Sequence, residues 1–165
     1  MELLVVRHAI AFERDAQRWP DDGERPLSPK GIARARKAAA GLKRITEPPT
    51  RVLTSPLVRT RQTAEILSRF AGWPKAAPCV QLRPGTAPER LFAFLAGAEE
   101  PRIGIVGHQP DLSRLVAACL PGGAGSTAVE FRKMSVALLA FPGAACAAQG
   151  ELLWLLPPRI LRATR

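Results

Sequence analysis

The sequence predicts a three-layer α/β/α sandwich around a mostly parallel sheet with an antiparallel edge. Three observations lead there. Short, almost wholly apolar runs such as Leu3-Leu4-Val5-Val6 and Ile103-Gly104-Ile105-Val106 have the pattern of strands buried on both faces. Segments with apolar residues at helical spacing separate those runs. Beyond Leu120 the alternation gives way to extended segments divided by Gly, Pro and Ala turns, which reads as antiparallel pairing near the C-terminus.

Taken in order, Leu3–Val6 is the first strand, followed by a polar stretch from Glu13 to Pro26 that reads as a loop over the strand end. Ser28 reads as an N-cap, with Pro29 at the first helical position. Ile32, Ala35, Ala39, Leu42 and Ile45 then mark an amphipathic helix that stops before Pro48-Pro49. Arg51–Thr54 is a second strand. Ser55-Pro56 opens the next helix, Ser55 itself reading as a cap; Ala64, Leu67 and Phe70 face inward and Gly72 ends the helix. Cys79–Leu82 is expected as a third strand. Pro88–Ala98 is a helix with Leu91, Phe94 and Leu95 as its apolar stripe. The strand Ile103–Val106 feeds a helix from Pro110 to Leu120 that buries Leu112, Leu115, Val116 and Cys119 and ends at Pro121-Gly122-Gly123. Val129–Phe131, Ser135–Phe141 and Glu151–Leu156 are expected as strands. One domain is expected over residues 1–165, with 157–165 as a peripheral basic tail.

Composition narrows the function. The 165 residues are 47% hydrophobic and 23% charged, ordinary for a globular protein, and no apolar run reaches the roughly 20 residues that span a bilayer. No signal-peptide core precedes Arg7, so a cytoplasmic location is expected, without a membrane partner. Cys79, Cys119 and Cys146 lack metal-ligand spacing and read as small core residues in a reducing compartment. The net charge of +10, mostly arginine, makes anionic partners the natural ones. These charges are spread along helices and loops with few aromatics among them, so a nucleic-acid partner is not expected.

The only two histidines, His8 and His108, each follow an apolar strand. Strand exits in a doubly wound sheet lie side by side and form its binding crevice. The exits at Arg7-His8, at Thr54 to Thr63 (which carries Arg59 and Arg61) and at Gly107-His108-Gln109-Pro110 are therefore expected to bring together two imidazoles and at least two guanidiniums. Such a pocket fits a phosphoryl group, which arginine holds bidentately and helix N–H groups support, here including the backbone of Gln109. A neutral imidazole can attack phosphorus, and neighbouring positive charge keeps it neutral. Arginines can supply the charge stabilisation, so neither metal nor other cofactor is expected. Arg61 reads as solvated, and Gln62 and Thr63 as supports for the helix start or the adjoining loop.

Leu4-Val5-Val6-Arg7-His8-Ala9, Ser55-Pro56-Leu57-Val58-Arg59-Thr60-Arg61-Gln62-Thr63-Ala64 and Val106-Gly107-His108-Gln109-Pro110 resemble, in order, the motifs of the histidine phosphatase superfamily, whose fold is phosphoglycerate mutase-like. The small size and Arg25-Pro26-Leu27-Ser28-Pro29-Lys30-Gly31 resemble its SixA-type phosphohistidine phosphatase branch. The resemblance implies that His8 is the phosphorylated nucleophile and that Arg7, Arg59 and His108 clamp the phosphoryl oxygens. Ala9 stands where the family has glycine. Gln81 stands where mutase and phosphomonoesterase relatives place an acidic glutamate, and an amide cannot donate a proton to an alkoxide in the required way. Glu13 or Asp15 is a possible substitute acid. The expected substrate is a phosphohistidine on a phosphotransfer protein, such as a histidine-phosphotransfer domain. The alternatives are a broad phosphatase of small phosphorylated molecules or polyphosphate, and a non-catalytic phosphate or phosphoprotein binder. Oligomeric state is left open, with a monomer as the default.

Overall fold

The computed structural model describes residues 1–122 and 129–164. Its sheet is assembled from β1 (Glu2–Arg7), β2 (Arg51–Thr54), β3 (Ala77–Pro78), β4 (Arg102–Gly107), β5 (Val136–Ala140) and β6 (Glu151–Leu156), in the order β3-β2-β4-β1-β5-β6. β1, β2, β3 and β4 run parallel, while β5 and β6 are antiparallel additions beside β1. The expected sheet is therefore present.

Strand alternation divides the core into two layers. Leu4 and Val6 of β1 face α1 (Pro29–Leu42) and α2 (Val58–Ala71), packing with Ala35, Ala38, Leu42 and Leu67. Leu3 and Val5 face α3 (Pro88–Leu95) and α4 (Asp111–Cys119), packing with Leu91, Leu95, Leu112 and Leu115. No helix is long and apolar enough to cross a membrane among the described residues. Cys79, Cys119 and Cys146 are free thiols, and burial pushes Cys119 up to about 12.

Ser28 caps α1 as expected, its Oγ accepting the Gly31 N–H at 3.1 Å, and Gly72 ends α2 with φ of 74°. Other segments differ from expectation for identifiable reasons. Only Ala77 and Pro78 pair with β2, and Val80–Leu82 is a short 3-10 turn. That turn buries Cys79 and Leu82, three residues apart, and leaves Val80 exposed, a period no strand has. Residues 129–131 form no strand; the Val129 and Phe131 carbonyls accept instead from the side chains of Ser113 and Arg7. Phe70 and Phe94 lie on the outer faces of their helices, under Arg36 and Arg51 respectively, and Phe92 fills the inward place expected for Phe94. α2 starts at Val58, so Ser55 is no cap and its side chain is released for another role. No side chain caps that helix end; Thr60 Oγ1 instead donates to the carbonyls of Ser55 and Leu57, tying the preceding turn to the helix. Gly123, expected in the turn after α4, lies outside the described residues.

The tail is the largest correction. Pro158–Ala163 forms α5, which packs on α1 with Leu161 fully buried. Burying one leucine contributes about 1.5–3 kcal/mol, enough to fix a short helix that its basic residues alone would leave in solvent. The contact depends on Gly41, where a Cβ would stand 1.7 Å from the Leu161 carbonyl oxygen. Gly41→Ala is accordingly expected to destabilise the fold by about 3 kcal/mol, as overpacking does. Urea unfolding with tryptophan fluorescence measures this, and an unchanged midpoint refutes the packing account.

Candidate active site

β1 and β4 pair in parallel with Arg7 opposite Gly107, so the next residue on each strand leaves the sheet at the same level. His8 N–H donates to the Gly107 carbonyl at 3.1 Å, and the His8 and His108 ring centroids are 5.3 Å apart. On the far side of β4, Ser55 N–H donates to Val106 O at 3.0 Å, bringing the exit of β2 alongside. The first turn of α2 then carries Arg59 into the same region. His8, Arg59 and His108 are 7%, 4% and 4% exposed.

Hydrogen bonds fix most of the orientations. His8 Nδ1 lies 2.7 Å from the Ala9 carbonyl. A carbonyl can only accept, so Nδ1 carries the proton and the Nε2 lone pair is left for attack. Thr63 Oγ1 accepts the Ala9 N–H at 3.0 Å while donating to Arg59 O at 2.7 Å, tying the chain after His8 to α2. Gln62 Oε1 accepts the Leu27 N–H at 2.8 Å, so both residues support the neighbouring chain as expected. Arg61 is exposed. His108 Nε2 lies 2.9 Å from Ser55 Oγ, the role for which the late start of α2 frees that serine. The Gln109 side chain is committed to Ser113, bonding both its Oγ and its N–H, which leaves only the main chain of Gln109 for a ligand.

The guanidiniums are held from one side. Arg7 Nη1 donates to Phe131 O at 2.6 Å. Arg59 Nη1 donates to Asp22 O at 2.7 Å, and its Nη2 pairs with the Asp22 carboxylate at 3.2 Å. Among the described residues, the buried side-chain polar atoms with no partner are Arg7 Nε, Arg59 Nε and His108 Nδ1. All three belong to the residues expected to hold phosphate. A buried polar group left unpaired costs about 1–3 kcal/mol, and the two guanidinium N–H groups among these suit an acceptor such as an anion.

Burial is the main reason that both imidazoles resist protonation, with His8 lowered to about 3 and His108 to about 3. At His8 the bond to Ala9 O opposes this, and the charges of His108, Arg59 and Arg7 reinforce it. At His108 the charge of Arg59 adds to burial, Asp22 opposes it, and Arg7 and Arg25 add smaller contributions. Positive charge thus favours neutral imidazole as the sequence implies, but desolvation does more.

Sequence reasoning missed Asp22, since Asp21-Asp22-Gly23 reads as turn chemistry alone. Hydrogen bonding from Arg25 holds the Asp22 carboxyl below its ordinary range, helped by the charges of Arg59, Arg25 and Arg14 against the opposing effect of burial. Asp15 spends its carboxylate on the N–H groups of Gln17 and Arg18, and Glu13 is exposed. Gln81 Oε1 accepts the Cys79 thiol at 3.3 Å, and Gln81 shares a cavity of about 20 Å³ with His108 and Asp111. Asp111 in turn accepts the Gly85 N–H at 3.0 Å and pairs with Arg114 at 3.6 Å. Among the described residues no group of three or more His, Cys, Asp or Glu is placed to hold a metal ion.

Known proteins share this architecture. A model of the histidine phosphatase superfamily (branch 1) matches residues 3–82. An uncharacterized protein of Picosynechococcus sp. is 39% identical over 132 residues, covering 76% of each chain. The structure of the protein histidine phosphatase SixA complexed with tungstate superposes with a TM-score of 0.82 at 26% identity, over 98% of this chain and 99% of that one. A mycobacterial glucosyl-3-phosphoglycerate phosphatase shares the fold at a TM-score of 0.64 and 17% identity, over 92% of this chain and 96% of its own.

Two neutral, buried histidines give a signed pH dependence. Unfolded imidazoles take up protons near 6.5, whereas His8 and His108 do so only near 3. Stability is therefore expected to fall as pH drops from 6.5 towards 3, by about 1.4 kcal/mol per pH unit for each histidine, with no contribution above 6.5. Unfolding titrations and imidazole NMR shifts measured across that window test this. Ring signals that titrate near 6.5 contradict it.

Proposed function

Because the chain belongs to the histidine phosphatase superfamily, we propose that its phosphatase chemistry runs through a phosphohistidine on His8 and is directed at P–N bonds of phosphorylated proteins. The observation that carries this reading is that a neutral His8 lies 5.3 Å from the His108 ring and within the fields of Arg7 and Arg59, and that these three neighbours each keep a buried nitrogen without a protein partner.

His8 Nε2 attacks phosphorus while Nδ1–H stays on Ala9 O, so the ring is held in its nucleophilic tautomer throughout. The Nε–H groups of Arg7 and Arg59 and the Nδ1–H of His108 bond the three equatorial oxygens. In the tautomer with the proton on Nδ1, His108 Nε2 accepts from Ser55 Oγ, 2.9 Å away. Phosphoryl transfer demands mainly positioning and charge stabilisation, and this set supplies both. Water then attacks the phosphoryl group on His8, releasing inorganic phosphate and restoring the imidazole.

The leaving group sets the substrate preference. Gln81 cannot supply a proton, Asp22 is held ionised by its arginines, and Asp111 is occupied by Gly85 and Arg114. An alkoxide would leave unprotonated. A phosphohistidine ring takes a proton from solvent before the P–N bond breaks and departs as neutral imidazole.

A phosphorylated histidine-phosphotransfer domain is therefore expected to be turned over with a kcat/KM at least about 10²-fold above that of a sugar phosphate, the scale of a missing general acid. Comparable or reversed constants sink the P–N assignment. His8→Ala is expected to lose at least about 10³-fold in activity with its fold retained, and acid-labile phosphoryl label is expected on His8 but not on the variant. Turnover by the variant excludes the covalent route. Activity unchanged by EDTA is expected if the arginines carry the charge stabilisation, and loss reversed by added metal counters it.

A further inference from the structure

Arg7 borders a second concavity beside the phosphoryl site. The first turns of α1, the chain following β1, residues 130–134 and the start of α5 enclose about 400 Å³ there. Six cationic side chains line it: Arg7, Arg34, Arg132, Lys133, Arg159 and Arg162. Among the described residues Glu130 is the one carboxylate lining it; it pairs with Arg132 at 3.7 Å and acts on Arg7. Among the described residues Arg34, Lys133, Arg159 and Arg162 have no ion-pair partner.

These four charges come from three separate parts of the fold. Arg34 rides on α1, Lys133 follows the segment that holds Arg7, and Arg159 and Arg162 are fixed by the burial of Leu161 between them. Bringing like charges together within a Debye length of about 8–10 Å opposes folding, and an anion in their midst reverses the sign. The shape favours a small ligand, because about 300–1,000 Å³ is the range of small-molecule pockets whereas protein docking uses broader, flatter surfaces. Five of the six cations are arginines, whose planar forks match phosphate oxygens two at a time.

We propose that this cavity is a second anion site that takes a small oligophosphate, an anion with two or more linked phosphate groups, next to the phosphoryl site and sharing Arg7 with it. The site goes beyond the P–N reading and does not depend on it.

Calorimetric titration of inorganic tripolyphosphate into the full-length His8→Ala chain at physiological ionic strength reads binding without turnover, with orthophosphate as the comparison. One equivalent of tripolyphosphate is expected to bind at least about tenfold more tightly than orthophosphate. Adding Arg34→Gln and Arg159→Gln, both on exposed side chains, is expected to weaken tripolyphosphate at least about tenfold, with the melting temperature unchanged. In the otherwise native chain that pair of substitutions is expected to leave kcat for a small phosphoryl donor unaltered. Equal affinity for the two anions, or tight binding that survives the double substitution, overturns the proposal. So does a raised KM for a phosphorylated protein with tripolyphosphate binding intact, which would make this face a protein-docking surface instead.

Discussion

The in-register parallel pairing of β1 with β4 is the constraint on which the rest of the site depends. With Arg7 opposite Gly107, the two imidazoles emerge side by side, and a shift of one residue would send one of them to the opposite face of the sheet. Gly107 helps hold this geometry, since a Cβ there would stand 3.0 Å from Leu112 at the base of α4. β2 and α2 then have to deliver only Ser55 and Arg59 to a centre whose position is already set. The two apolar layers, packed on Leu3 and Val5 on one face and Leu4 and Val6 on the other, keep that register from slipping.

Burial gives the site its electrostatic character. Two histidines and an arginine lie almost out of solvent, where each charged form is disfavoured. The imidazoles answer by remaining neutral. The guanidiniums cannot; Asp22 balances Arg59, while Arg7 bonds the Phe131 carbonyl and feels the charge of Glu130. Both balances engage terminal nitrogens and leave each Nε–H free of protein partners. Positive charge is thus fixed in place by the protein itself, the kind of preorganisation that phosphoryl transfer rewards.

Much of this was legible in local pattern. The continuous apolar runs marked β1 and β4, and Ser28-Pro29 marked the start of α1. Arg7, His8, Arg59 and His108 stood at strand exits or in the adjoining helix turn, and the fold gathers them. What local pattern misjudged were segments where a neighbour decides. Cys79–Leu82 has strand-like composition, yet turns so that residues three apart are buried together. Val129–Phe131 has it too, but its carbonyls are taken by the side chains of Ser113 and Arg7. Ser55 resembles a cap because serine before proline commonly is one, and only the position of His108 gives it a different partner.

The sequence by itself determined the strand–helix alternation, the order of the strand exits and the identities of the four central side chains. Those follow from periodicity and turn chemistry, which act over a few residues. Tertiary structure alone decided that Asp22 balances Arg59, that Gln81 stands near His108, and that the basic C-terminal segment anchors on α1 through Leu161 and Gly41 to wall a cationic cavity. Each of these joins residues far apart in the chain, and spacing along the sequence carries no information about which distant surface a loop or terminal helix will meet. That is settled by where apolar area can be buried and where charge can be balanced once the sheet has formed.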